Sequence, residues 1–206
     1  MTDLTLYSMP SSGNSYKARL LLALLGRPYR HMACEANSPE LARAKSEGRL
    51  PLGKLPALHL PDGTILSESN AILWYLGQGT GWVPDEPLAQ ARMLSWMFFE
   101  QNRHEPVIAV RASLNSYPHL ADQATPDVMA RLLDTGHDIL SLMDDTLASA
   151  PFFAGADPTL ADIALYAYTH SASARGGFDM ARFAHLSDWC ERIAALPGYV
   201  ELFDHG

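Results

Sequence analysis

Cysteine is scarce in this 206-residue chain. Cys34 and Cys190 are too few for a disulfide framework and too far apart for a Cys-x-x-Cys pair. A reducing, cytoplasmic compartment is therefore the expectation, with both thiols as small core residues. Long hydrophobic runs are also missing. The stretch Leu20–Leu25 falls far short of the ~20 apolar residues that cross a bilayer. No basic stretch leads from Met1-Thr2-Asp3 into an apolar segment, so neither a signal peptide nor a membrane partner is expected. Positive charge is in deficit, with 15 Lys and Arg against 23 Asp and Glu and a formal net charge of −8. That balance disfavours nucleic acid and anionic membranes as main partners, although a local basic patch can still hold a small anion. The 8 histidines show no HxxxH or HExxH spacing, and no metal is expected.

What is present is an ordinary globular composition, 48% apolar and 18% charged, long enough for one large domain or two small ones. The first part alternates strand-like and helix-like signals. Leu4–Met9 has strand length and stops at Pro10. Ser11-Ser12-Gly13-Asn14 offers turn and N-cap chemistry, and Tyr16–Leu25 reads as a helix stopped by Gly26. Tyr29–Ala33 completes a βαβ unit. Leu55–Leu60 and Thr64–Leu66 flank Pro61-Asp62-Gly63, a hairpin pattern. Ser67-Glu68-Ser69-Asn70 then caps a helix over Ala71–Leu76 that stops at Gly77. The order β-α-β-α-β-β-α implies an α/β layer architecture.

Gly and Pro cluster between Gly77 and Pro87, and beyond them only helical patterns appear, near 88–114, 126–148, 160–173 and 186–195. Pro106 is expected to kink or break the first of these. The expected organisation is an α/β domain over 1–77, a linker over 78–87 and an all-helical domain over 88–206.

Three segments carry chemistry. In Gly53-Lys54-Leu55-Pro56-Ala57-Leu58 a proline opens a strand. Either Pro56 is trans on an edge, or a cis bond turns the Leu55 backbone outward for strand-like pairing with a ligand. Ser67-Glu68-Ser69 lies at a strand-to-helix junction. It is either a plain N-cap or an anion site in which Ser69 and the helix N-terminus take a carboxylate and Glu68 takes an ammonium. Ser11-Ser12-Gly13-Asn14 has the same two readings. If the anion there is a ligand thiolate, lowering a thiol of pKa ~8.5 by about two units requires roughly 2.7 kcal/mol. One hydrogen bond to a charged group supplies ~1.5–3 kcal/mol, and a helix end adds ~0.3–1. One serine at one helix terminus is enough.

In this order and spacing the three segments resemble the cytosolic glutathione transferase family, of bacterial, serine type. Leu66-Ser67-Glu68-Ser69-Asn70-Ala71-Ile72-Leu73-Trp74-Tyr75-Leu76 and the Gly53–Leu58 segment carry the likeness, joined by Phe98-Phe99-Glu100-Gln101, His104-Glu105-Pro106 and the capping box Thr159-Leu160-Ala161-Asp162. The resemblance implies a thioredoxin-like N-terminal domain followed by a helical bundle. It implies a homodimer and glutathione as co-substrate, with its thiolate conjugated to a small electrophile. It also implies a cis Pro56, a Leu55 backbone paired with the cysteinyl unit, and Glu68 with Ser69 on the γ-glutamyl end. Ser12 would stabilise the thiolate, with Tyr7, Ser11 and Asn14 as weaker candidates. Asn37 stands where several relatives place a basic residue for the glycine carboxylate, which leaves Lys54 or Arg49 for that role. The electrophile would meet Met9, Pro10, His104, Arg111 and Tyr166. The absence of cysteine between Tyr7 and Ser15 argues against mixed-disulfide chemistry. A glutathione-dependent disulfide or peroxide reductase and a non-catalytic interaction module are the other functional classes such a chain can serve.

Overall fold

A computed structural model describes residues 4–204. Two compact units divide the chain. One comprises the residues up to Val83 together with those from Ala195 onward, and the other is Pro84–Ala194.

The first unit holds β1 (Leu4–Ser8), α1 (Gly13–Leu24), β2 (Tyr29–Ala33), α2 (Pro39–Ser46), β3 (Ala57–His59), β4 (Ile65–Ser67) and α3 (Ser69–Gly77). Its four described strands form one sheet in the order β2-β1-β3-β4. β1 runs parallel to β2, with Leu4 opposite Tyr29 and Ser8 opposite Ala33. It runs antiparallel to β3, with Leu6 opposite Leu58, and β3 pairs antiparallel with β4. A parallel pair needs a crossover, which α1 supplies. The β3–β4 pair needs only a tight turn, in which Thr64 N donates to Asp62 Oδ1 at 2.9 Å.

The strand period of two sorts the side chains. Tyr7 and Ile65 pack with Leu41, Ala44, Cys34, Leu50 and Ala57 on the face covered by α2. Leu4, Leu6 and Ser8 are buried on the opposite face, where Arg19 of α1 reaches Ser8. α1 and α3 pack together there. α1 is buried on every side from Ser15 through Leu22, a run that carries Lys17 and Arg19 as well as its leucines.

The segment after α8 departs from the expected 88–206 domain, because from Ala195 onward it belongs with the first unit. The physical reason is a set of bonds to α1: Tyr16 Oη donates to Val200 O at 2.7 Å, and Arg19 Nη2 donates to Leu202 O at 2.8 Å.

The second unit is helical: α4 (Pro87–Phe99), a π-helical stretch (Glu100–Ala109), α5 (Val110–Ser116), α6 (Pro126–Leu147), α7 (Leu160–Thr169) and α8 (Ala184–Ala194). Pro106, expected to kink or break the first helix, does not end it. It sits inside the π-helical stretch, which runs on into α5. The wider turn changes which carbonyls are bonded and carries the residue without an N–H through the helix. α6 buries Leu132, Gly136, Ile139, Leu140, Met143 and Leu147, one stripe at helical spacing. Gly136 has to be glycine, since a Cβ there would come 2.2 Å from the Phe178 ring. α7 is buried along its whole length. Its start is the capping box read from sequence: Asp162 Oδ2 accepts from Thr159 N at 2.8 Å and from Thr159 Oγ1 at 3.1 Å. Asp162 Oδ1 accepts from Phe153 N and Trp189 Nε1. Burial pushes this carboxyl above the usual range, against four donors that favour its charge.

Candidate functional site

Sequence reasoning singled out three junctions, and all three lie in the first unit, close to β1 and β3. The Leu55–Pro56 peptide bond is cis, so the trans-edge reading of Pro56 is set aside. Pro56 is buried, Leu55 is half-buried, and β3 starts immediately after them at Ala57.

At the β4–α3 junction the capping reading fails. The N-cap residue of α3 is Glu68, and no side chain caps this helix. Glu68 has φ 70° and ψ 119°, a conformation that costs a non-glycine residue about 1–3 kcal/mol. Its side chain is exposed. Ser67 Oγ is buried without a partner among the described residues. Ser69 is 4% exposed and donates not into its own helix but to Asn14 Oδ1 at 3.2 Å.

That contact exposes a residue sequence reasoning missed. Lys17 is fully buried in α1, and its Nζ donates to Asn14 Oδ1 (2.8 Å), Ser69 Oγ (3.3 Å) and Asn70 Oδ1 (3.4 Å). A cation thus ties the start of α1 to the start of α3 beneath Glu68 and Ser69. The signal was present as two charged residues, Lys17 and Arg19, inside an otherwise apolar run. A side chain that carries charge into such a run needs polar partners, and here they are Asn14, Ser69 and Asn70.

At the β1–α1 junction the candidate hydroxyls separate. Ser11 Oγ donates to Glu35 Oε1 at 2.7 Å, and Ser11 N donates to Glu35 Oε2 at 3.2 Å. Asn14 Oδ1 is taken by Lys17 and Ser69. Tyr7 lies on the α2 face, packed into the Cys34–Ala57 cluster and 4.7 Å from the His59 ring. Ser12 is the N-cap of α1 and accepts only a long bond, 3.5 Å, from Ser15 N. Its hydroxyl proton is committed to no described acceptor. Glu35, like Lys17, was not foreseen.

Of the candidates for the glycine carboxylate, Arg49 Nε pairs with Glu47 Oε2 at 3.3 Å. Lys54 is exposed and makes no ion pair among the described residues. Asn37 is exposed, with φ 61°.

The expected electrophile-contacting residues differ in their surroundings. Met9 and Pro10 are half-buried in the loop before α1. His104, Arg111 and Tyr166 make bonds and ring contacts within the helical unit. His104 is fully buried with Nε2 3.0 Å from Thr169 Oγ1. Arg111 donates to Gly176 O at 2.6 Å and to Met129 O. Tyr166, 3% exposed, stacks on His170 and meets Trp189 edge-on. The buried His104 and Tyr166 and the half-buried Arg111 have partners in their own bundle, the ordinary outcome for such groups. Among the described residues no cluster of three or more His, Cys, Asp and Glu is placed to hold a metal ion, and no helix is long and apolar enough to cross a membrane.

The chain is similar to known proteins over nearly its whole length. Residues 6–81 match the family model of the glutathione S-transferase N-terminal domain, and residues 126–192 match that of the C-terminal domain. The crystal structure of a glutathione S-transferase from Pseudomonas fluorescens Pf-5 is similar at 38% identity, with 98% of this chain and 99% of that one aligned and a TM-score of 0.91. One from Xanthobacter autotrophicus Py2 is also 38% identical, over 97% of each chain, with a TM-score of 0.89. Maleylacetoacetate isomerase of Rhizobium meliloti is 27% identical over 202 residues, 96% of this chain and 94% of that protein. With both domain models matched and near-complete alignment to solved members, the chain belongs to the glutathione S-transferase family.

Proposed function

We propose that the chain is a glutathione transferase that ionises the thiol of glutathione and transfers its sulfur to a small electrophile. The observation that carries this is the uncommitted Ser12 hydroxyl at the N-terminus of α1, beside a Ser11 and an Asn14 that are already bonded. In this reading the Leu55 backbone ahead of cis Pro56 pairs with the cysteinyl unit of glutathione. Glu68 takes the γ-glutamyl ammonium, while Ser69, the start of α3 and the buried Lys17 favour its carboxylate. Lys54 takes the glycine carboxylate. Ser12 donates to the sulfur, and this bond with the helix end supplies the roughly 2.7 kcal/mol that a two-unit fall in thiol pKa requires. Solved relatives of lower identity were crystallised with glutathione bound, which supports the same ligand here. Positioning and thiolate stabilisation then supply most of the rate. A homodimer fits the family.

A second reading is favoured by the near full-length likeness to maleylacetoacetate isomerase. There the same thiolate adds to an activated cis double bond and leaves after rotation, with no net conjugation. The two share every group assigned above and differ in acceptor.

The test is a pH titration of the thiolate absorbance of bound glutathione. The unmodified chain should bind glutathione with its thiol pKa about two units below the free value, and Ser12→Ala should restore most of that difference. No measurable glutathione binding would remove the proposal. Steady-state assays with an activated aryl halide and with maleylacetoacetate then separate conjugation from isomerisation.

A further inference from the structure

Lys17 and Arg19 are the fully buried charged side chains among the described residues of the first unit, and Arg19 is the one this reading does not use. Its guanidinium is fully buried, and burial pulls its pKa below the usual arginine value. Among the described residues no carboxylate accepts from it. Nη1 donates to Ser8 Oγ (3.0 Å) and Met9 O (3.2 Å), and Nη2 donates to Pro10 O (2.9 Å) and Leu202 O (2.8 Å). Nε is buried with no partner among the described residues. A core position that needed only packing would be filled at less cost by leucine. Three of the four acceptors belong to Ser8–Pro10, the run that delivers Ser12. Met9 O receives Ser12 N as well, at 3.1 Å, and Met9 N donates to Ser15 Oγ at 2.9 Å. The Met9 peptide is thus held at both ends, and the carbonyl that Arg19 holds is the one that anchors the Ser12 backbone.

The fourth acceptor comes from the other end of the chain. The segment after Ala195 lies along one face of α1, since Ala23, Tyr16 and Arg19 meet Gly198, Val200 and Leu202 in turn. At Gly198 the approach is close: φ is +86°, and a Cβ would come 2.8 Å from Ala23 O. Leu202 is itself 4% exposed.

We propose that Arg19 is a positioning residue for the thiol-activating loop, and that the C-terminal segment Gly198–Leu202 works as a clamp that keeps the Arg19 fork on Met9 and Pro10. The proposal rests on the glutathione reading above. With Leu202 O removed, Nη2 loses one of its two acceptors in a dry site, and the fork turns toward water. The Met9 carbonyl loosens, and Ser12 drifts from the geometry in which its proton meets the sulfur.

The experiment compares the unmodified chain, a chain ending at Val200 and the Arg19→Lys variant. Ending at Val200 keeps the Tyr16 and Gly198 contacts and deletes Leu202. Lysine keeps the charge of Arg19 but cannot serve four acceptors with one ammonium. The readout is the thiol pKa of bound glutathione, with binding followed by calorimetry. Both variants should raise that pKa by about one unit, a ten-fold loss of thiolate at a pH below it. Binding below that pKa should change by less than about three-fold. In a Ser12→Ala background neither change should have a further effect, because both act through Ser12. A simple packing defect would instead add to the Ser12→Ala effect. A measurement on the unmodified chain needs no variant to fold: glutathione should slow amide exchange in residues 198–204 together with the Ser12 amide. Folded variants with an unchanged thiol pKa, or a C-terminal segment indifferent to glutathione, would overturn the clamp. Failure of the unmodified chain to bind glutathione would instead overturn the reading beneath it.

Discussion

The Ser11 hydroxyl is bound by Glu35 at 2.7 Å, and this one bond separates two adjacent serines into different roles. Glu35 also accepts from Ser11 N and Ala36 N, so the carboxylate organises the loop from outside. Ser12 is left with its proton available. Turnover with an activated aryl halide should therefore fall ten-fold or more in Ser12→Ala and less than about three-fold in Ser11→Ala. Tyr7→Phe should stay within about two-fold, because Tyr7 packs on the opposite face of the sheet. A large loss in Tyr7→Phe with Ser12→Ala unaffected would reverse the assignment.

Glu68 combines an exposed side chain with a backbone at φ 70°, so its conformation works against stability. Glu68→Gly should leave the melting temperature unchanged or raise it, with a gain of up to about 1 kcal/mol from relief of strain partly offset by entropy. Glutathione affinity should fall in the same variant, as it should in Ser69→Ala and Glu68→Gln, measured by calorimetry. Stability and affinity moving in opposite directions is the signature expected of a residue held for binding. If affinity survives all three, the γ-glutamyl pocket lies elsewhere.

Neither thiol is built for chemistry. Burial pushes the Cys34 thiol up, and it pushes Cys190 up to about 12. At neutral pH the Cys190 thiol is therefore held in its protonated form. Iodoacetamide should leave the native chain unmodified and its activity intact, and should alkylate both cysteines once denaturant is added, as read by mass spectrometry. One rapidly reacting thiol in the native chain would reopen mixed-disulfide reduction.

The strand and helix order was legible because each element carried a local signal: Pro10 and Gly26 at ends, Asp62-Gly63 in the hairpin, the Leu-rich helix between them. The capping box at Thr159 and Asp162 was legible for the same reason, since its partners are three residues apart. What sequence could not supply was long-range. Lys17 meets Ser69 across 52 positions, Arg19 meets Leu202 across 183, and His104 meets Thr169 across 65. Helical patterning says that these polar residues lie within apolar faces, but not whether they turn toward a ligand or a carbonyl. That is why His104, Arg111 and Tyr166 were expected at a substrate, whereas His104 and Tyr166 are buried and Arg111 is half-buried with its guanidinium on backbone carbonyls. The junction at Glu68 was misread differently: its sequence has good capping residues, and the positive φ turns the chain so that none of them caps.

Asp162 tests how much of the helical unit rests on one side chain. Its two oxygens accept from Thr159 N, Thr159 Oγ1, Phe153 N and Trp189 Nε1, joining the start of α7 to α8 and to the loop before it. Asp162→Asn keeps the volume but replaces one acceptor with an N–H₂ that faces another donor. At least one buried donor loses its partner, at about 1–3 kcal/mol, and the cap of α7 is weakened by ~1 more. For a chain of this length each kcal/mol moves the midpoint by about 2–4 °C, so the melting temperature should drop on the order of 10 °C. Glutathione affinity in the surviving folded fraction should not change, because Lys17, Leu55, Glu68 and Ser69 all belong to the first unit. A variant melting within a degree or two of the unmodified chain would mean that Thr159 and Trp189 find other acceptors, and that α7 is held by its apolar packing alone.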